Sequence, residues 1–213
     1  MHLLFDDPEC QAESPKYFER MHRDKVNPIP DDHTCINFIS DMLIPPKWRK
    51  DVLSCRKCKR NLVCFLSKYF LQHTGQMLLP HQRFVTVGGF TGSLQNKAMV
   101  TQLNAPPQPD SSLTCNAEES DSRIWLHVLY SAGDKKLVLS PDTDVYNIGL
   151  PLIAETNLDV IVRLSQFTSK DLRLLHMKAL INAFTNDPDL AMIPKVQVLS
   201  TMQAVYVLSL IHI

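Results

Sequence analysis

Two carboxylate pairs with matched spacing are the residues of this chain best suited to chemistry. Glu119-Ser-Asp121 opens an amphipathic stretch, and Asp142-Thr-Asp144 follows an apolar one. Glu119 and Asp142 are 23 residues apart, and so are Asp121 and Asp144. Carboxylates crowded into one cleft repel and raise one another's pKa. A hard divalent cation removes that conflict, because Mg²⁺ and Mn²⁺ take oxygen ligands, commonly carboxylates and water. Two such ions about 3.5–4 Å apart clamp the attacking and leaving oxygens of a phosphodiester. Either pair alone has an ordinary explanation: acidic residues in a first helical turn complement the dipole, and Asp at a strand end is common turn chemistry. Two pairs bracketing one helix and one strand favour the metal reading.

A second charged feature lies upstream. In 47–60, seven of fourteen residues are basic: Lys47, Arg49, Lys50, Arg56, Lys57, Lys59 and Arg60. The chain as a whole is balanced, with 22 Lys+Arg against 22 Asp+Glu. A strongly basic nucleic-acid binder is thereby excluded, but a local phosphate-binding patch is not. A solvated helix face is the equally ordinary reading of such a run. Cys55-x-x-Cys58 sits inside it. A structural zinc site needs four ligands, usually from a second C-x-x-C or an H-x₃₋₅-H. Cys64 and His73 are the only nearby candidates, at unusual spacing. The pair therefore reads as thiols on a helix.

Local patterns give the elements that must position these residues. A short strand covers 2–5, and Ser14 and Pro15 open a helix over 15–23. Asp32 caps a further expected helix with Ile36, Ile39 and Leu43 on one face. A long helical stretch covers 47–72. Strands at 83–87 and 97–103 flank the Gly88-Gly89 turn, and 104–114 is a loop. The acidic region follows with a helix at 118–132, in which Ile124, Val128 and Leu129 point inward. Then come a buried strand at 136–140, a loop at 141–144 and a helix at 145–153. Strands at 159–164 and 172–176 precede helices at 178–184, 188–193 and 198–207. Strands alternating with helices predict an α/β fold around a parallel sheet, with ligands at the carboxyl ends of strands.

The run Glu118-Glu-Ser-Asp-Ser-Arg-Ile-Trp-Leu-His127, followed by Leu139-Ser-Pro-Asp-Thr-Asp-Val-Tyr146, resembles the internal region of flap-endonuclease/XPG-type nucleases of the PIN-like superfamily. It is closer still to animal proteins of mobile-element type that carry this nuclease module. His2-Leu-Leu-Phe-Asp-Asp-Pro8 with the basic stretch 16–25 is similar to the family's F-D-G strand and Arg-rich helix. The resemblance covers roughly 2–25 and 115–207. It implies a PIN-like three-layer fold, a mostly parallel central sheet, and a basic helical insert at 26–82. It implies two Mg²⁺ or Mn²⁺ ions held by Asp6, Glu119, Asp121, Asp142 and Asp144, with Asp142 and Asp144 the catalytic pair. Arg20 and Arg23 would join the basic residues of 47–60 in binding nucleic acid, expected to be DNA, in the nucleus. The alternative function is a non-catalytic nucleic-acid-binding or assembly module. Asp142-x-Asp144 alone also resembles the nucleophile motif of haloacid-dehalogenase-like phosphatases. Tyr146 replaces that motif's Thr or Val, and Pro141 interrupts its apolar run.

The family's first strand and its G-C-D-Y-like element find no counterpart here, so the resemblance implies a fragment over 1–207, incomplete at both ends and expected to be inactive as it stands. Leu208-Ser-Leu-Ile-His-Ile213 is what one frame of a sequencing-library transposon end encodes, and 208–213 is read as an adapter-derived tail. The 213 residues contain only 6 Gly, and neither a P-loop nor a dinucleotide-binding glycine motif occurs. Six Cys make no disulfide scaffold, and no apolar run is long enough to span a bilayer, so an intracellular protein is expected.

Overall fold

The computed structural model describes residues 1–6, 15–26, 35–44, 46–116, 120–166 and 169–190. The chain is α/β and divides into two compact units, Met1–Arg123 and Ile124–Ile213.

The first unit holds a mixed sheet in the order β1 (His2–Leu4), β2 (Arg83–Val87), β3 (Ala98–Gln102), β4 (Gln108–Asp110). β1 runs parallel to β2, with His2 opposite Val85, and β2–β3 and β3–β4 are antiparallel. Phe84, Val85, Thr86 and Val87 are all buried. Such an unbroken buried run belongs to an interior strand covered on both faces. β4 lies within 104–114, the segment expected to be a loop. Its pairing with β3 was hidden because Gln108-Pro-Asp110 has neither apolar alternation nor β-branched residues.

The described part of this unit also holds the helices α1 (Pro15–Val26) and α2 (Arg56–His73), of which α2 packs on the sheet. Ser67 of α2 donates its hydroxyl to the Gly88 carbonyl at 2.9 Å, and Phe70 lies 6.0 Å from Phe84 ring to ring. Gly88 and Gly89 have φ of 83° and 71°, and a Cβ on Gly89 would meet Ser67 and Val63. Gly89→Ala is expected to cost about 1–2 kcal/mol through the left-handed backbone alone. A lower urea midpoint at unchanged m checks this.

Two helix expectations in the 26–82 insert need correction. Residues 35–44 are not helical; Ile39 and Leu43 are exposed. The backbone of Ile36 is engaged by α2 instead: its N–H donates to Cys58 Sγ and its carbonyl accepts from Asn61 Nδ2. The stretch 47–72 is not one helix. A π-helical turn (Arg49–Leu53) ends at Ser54, and Cys55 is extended (φ −95°, ψ 117°) where α2 begins.

The second unit carries the sheet β5 (Lys135–Leu139), β6 (Asp159–Arg163), β7 (Leu174–His176). β5 and β6 are parallel, joined through α4 (Thr143–Ala154), and β7 is antiparallel to β6. α3 (Ser120–Tyr130) enters the unit at Ile124, and α5 (Met177–Thr185) follows β7. The core comprises Trp125, Val128, Val138, Val145, Leu150, Ile153, Val160, Val162, Met177 and Ile181. Trp125 is the inward anchor of α3, and Leu129, expected inside, is 36% exposed. β5 is not buried throughout either: Val138 faces the core, whereas Leu137 and Leu139 are exposed. Strand alternation turns them to the opposite face. Among the described residues, three strand pairings are antiparallel and two parallel, in two separate mixed sheets.

Candidate functional site

The predicted acidic residues fall in both units. In the first, Asp6 follows β1, whose pairing extends through the bond from the Phe5 N–H to the Val87 carbonyl. Asp6 Oδ1 accepts from the Ser120 N–H at 3.0 Å and from the Ser120 hydroxyl at 2.8 Å. The first N–H groups of a helix lack intrahelical partners. Asp6 fills that need for α3 from 114 residues away. Asp121 stands in the first turn of the same helix, half-buried. Glu119 lies outside the described residues.

In the second unit, Asp142 caps α4. Its Oδ1 accepts from the Asp144 N–H at 3.2 Å, and its own N–H donates to Ser140 Oγ at 3.2 Å. Asp144 sits in the first helical turn, where the macrodipole favours a carboxylate. The D-x-D pair therefore has a structural role that needs no ion. The buried Trp125 indole donates to the Val145 carbonyl at 2.8 Å. That bond anchors α3 to the first turn of α4 within the unit.

The basic residues do not share one helix face. Arg20 and Arg23 lie on α1. Arg49 and Lys50 are in the π-helical turn, and Lys47 precedes it, exposed. Arg56, Lys57, Lys59 and Arg60 open α2, with Lys57 and Lys59 exposed and Arg56 and Arg60 half-buried. Farther along α2 runs a ladder of rings. Tyr69 stacks on His73 at 4.1 Å, Phe65 is 5.6 Å from Tyr69, and Phe38 is 6.4 Å from Phe65. With Lys68 these rings line an open groove of about 500 Å³.

Among the described residues, one group of three metal-capable side chains converges, and it is not acidic. The sulfurs of Cys35, Cys55 and Cys58 lie within 4.8 Å of one another. Cys55 and Cys58 are legible in the sequence as a C-x-x-C, and Cys35 is not. A lone Cys twenty residues upstream carries no spacing signal, and only the fold of 35–38 against α2 brings it in. Cys58 is fully buried and Cys55 nearly so. Burial opposes ionisation of Cys55, but the Cys58 N–H and neighbouring thiols bonded to its sulfur outweigh it, so its pKa is lowered. Burial pushes the Cys58 thiol up to about 11, with the Cys55 and Cys35 sulfurs adding to the effect.

No protein-family model, no curated protein and no solved structure matches the chain. No helix among the described residues is long and apolar enough to cross a membrane.

Proposed function

We propose that this chain carries the metal centre of a flap-endonuclease/XPG-type nuclease on a PIN-like three-layer fold, and that it hydrolyses phosphodiesters in DNA, in the nucleus. In this reading Glu119, Asp121, Asp142 and Asp144 hold two Mg²⁺ or Mn²⁺ ions, directly or through water, and Asp6 completes the set. Ions held there would supply an activated water and charge stabilisation. The basic residues of α1, the π-helical turn and α2 hold backbone phosphates without reading sequence.

The observation that carries the proposal is the double hydrogen bond from Ser120 to Asp6. Asp6 entered the ligand set only by resemblance, and it is the residue tied to the start of the acidic helix. All the proposed ligand atoms are carboxylate oxygens, which suits hard cations.

A second reading, a non-catalytic nucleic-acid-binding module, is favoured by the ring-lined groove along α2. Aromatic faces beside cations stack single-stranded bases with little sequence preference. One experiment separates the two. The chain is assayed for Mg²⁺- or Mn²⁺-dependent cleavage of flap and single-stranded DNA. Cleavage abolished by Asp142→Ala and by Asp144→Ala supports the nuclease. Cleavage that survives both substitutions removes the assignment, and salt-sensitive binding without cleavage supports the second reading.

A further inference from the structure

The cysteine trio is built from two chain segments. Cys55 and Cys58 straddle the start of α2, and Cys35 comes from the irregular segment 35–44. Each C-x-x-C sulfur accepts a backbone N–H: Cys58 N–H to Cys55 Sγ at 3.4 Å, and Ile36 N–H to Cys58 Sγ at 3.4 Å. Such bonds stabilise sulfur as thiolate and fix its direction. None of the three is in a disulfide. A tetrahedral ion with bonds of about 2.3 Å holds its sulfurs about 3.8 Å apart. The observed spread of 4.8 Å is within about an ångström of that closure.

We propose that Cys35, Cys55 and Cys58 bind a structural Zn²⁺ ion as three thiolates, with one further donor completing the tetrahedron. The inference stands whether or not the chain cleaves nucleic acid, and the site is separate from the acidic residues in ligand chemistry. Soft thiolates select zinc over the hard cations that carboxylates take. Three cysteines fall short of the four that an iron–sulfur cluster usually takes.

Two observations point to an ion rather than to a chance meeting of thiols. The first is the size of the local core. Val52, Cys55 and Cys58 are its buried members, and Cys35, Ile36, Phe38 and Leu62 flank it. Two of three buried side chains are thus the proposed ligands. This is a small core for holding the irregular segment 35–44 against α2, and a metal cross-link would add to it.

The second is charge. α2 begins with Arg56, Lys57, Lys59 and Arg60 and has no acidic residue in its first turn. Cations at a helix N-terminus oppose the macrodipole. A zinc centre with three thiolates and a neutral fourth ligand carries a net negative charge. Seated at Cys55, the N-cap residue, it offsets both the dipole and the cations. The basic run is then part of the metal site's surroundings.

The test uses the whole chain, purified under reducing conditions without added chelator. Elemental analysis is expected to find one zinc per chain. Cys35→Ser is the discriminating variant, because it leaves the C-x-x-C intact, and it is expected to lose the stoichiometric zinc. Cys64→Ser and Cys115→Ser are expected to keep it. Zinc retained at full stoichiometry by Cys35→Ser overturns the trio, and native protein with less than a tenth of an equivalent overturns the site. If Cys35→Ser fails to fold, X-ray absorption at the zinc edge of the unmodified protein decides. Three sulfur neighbours are expected, and one or none overturns the proposal. Cobalt substitution reads the same geometry through a thiolate-to-metal charge-transfer band, absent if sulfur does not ligate. A disulfide between any two of the three in anaerobically purified protein also overturns it.

Discussion

Asp142→Asn is expected to abolish metal-dependent cleavage while leaving the fold nearly intact. Asp142 has a visible structural duty, its Oδ1 accepting the Asp144 N–H at the start of α4. Asn caps a helix about as well as Asp, so this bond survives the substitution. What is lost is the negative charge, worth about 0.3–1 kcal/mol against the helix dipole. Asp142→Ala removes the cap as well and is expected to cost about 1 kcal/mol. Cleavage should fall alike in both. Loss of about 3–4 kcal/mol of transition-state stabilisation on losing an anionic metal ligand corresponds to roughly a hundredfold to a thousandfold in rate. Parallel urea unfolding and cleavage assays check the split. If Asp142→Asn cleaves normally and only Asp142→Ala fails, Asp142 is a cap and not a ligand.

The largest structural effect is expected at Gly149. A Cβ at this helical position would fall inside the Trp125 ring, against three of its carbons. Trp125 has no room to withdraw: it is 1% exposed, and its indole is held by the Val145 carbonyl. Two effects oppose each other in Gly149→Ala. Helix propensity favours Ala over Gly by about 1 kcal/mol. Overpacking a close-packed core costs typically about 1–3 kcal/mol and sometimes more. Contact with an immobile ring belongs at the upper end, so packing wins and a net loss of about 2 kcal/mol is expected. Gly149→Val adds branching and should exceed about 3 kcal/mol, a large part of a small unit's stability. The protein has two Trp, so a Trp48→Phe background lets Trp125 fluorescence follow this unit alone. Combining Gly149→Ala with Trp125→Phe should recover part of the loss as coupling. A fully additive cycle would show that the two residues do not meet.

The strands of the second unit were legible from sequence because their signals are local. Lys136-Leu-Val-Leu-Ser140 and Asp159-Val-Ile-Val-Arg163 are short apolar runs bounded by turn residues, and α4 begins at a D-x-D that caps helices by ordinary chemistry. Local signals failed where a backbone is satisfied from a distance. Ile36, Ile39 and Leu43 have helical spacing, but bonds to Cys58 and Asn61 hold the first of these residues in a non-helical path. Lys47 to Gln72 reads as one helix, and nothing in its periodicity marks the extended Cys55 that interrupts it. β4 has no strand composition and exists through its partner β3.

By itself the sequence determined the α/β class, the carboxylate pairs with their matched spacing, the basic run and the C-x-x-C. Those are properties of residue type and near neighbours, which a linear chain carries openly. Only the tertiary structure decided which side chains meet across long separations: Asp6 with Ser120, Cys35 with Cys55 and Cys58, and Trp125 with Gly149. Loop closure costs only about 0.6 kcal/mol more for each doubling of length, so partners tens of residues apart are little penalised and leave no periodic trace. The summed packing of the elements selects them, and that selection turned a C-x-x-C read as two ordinary thiols into three convergent sulfurs.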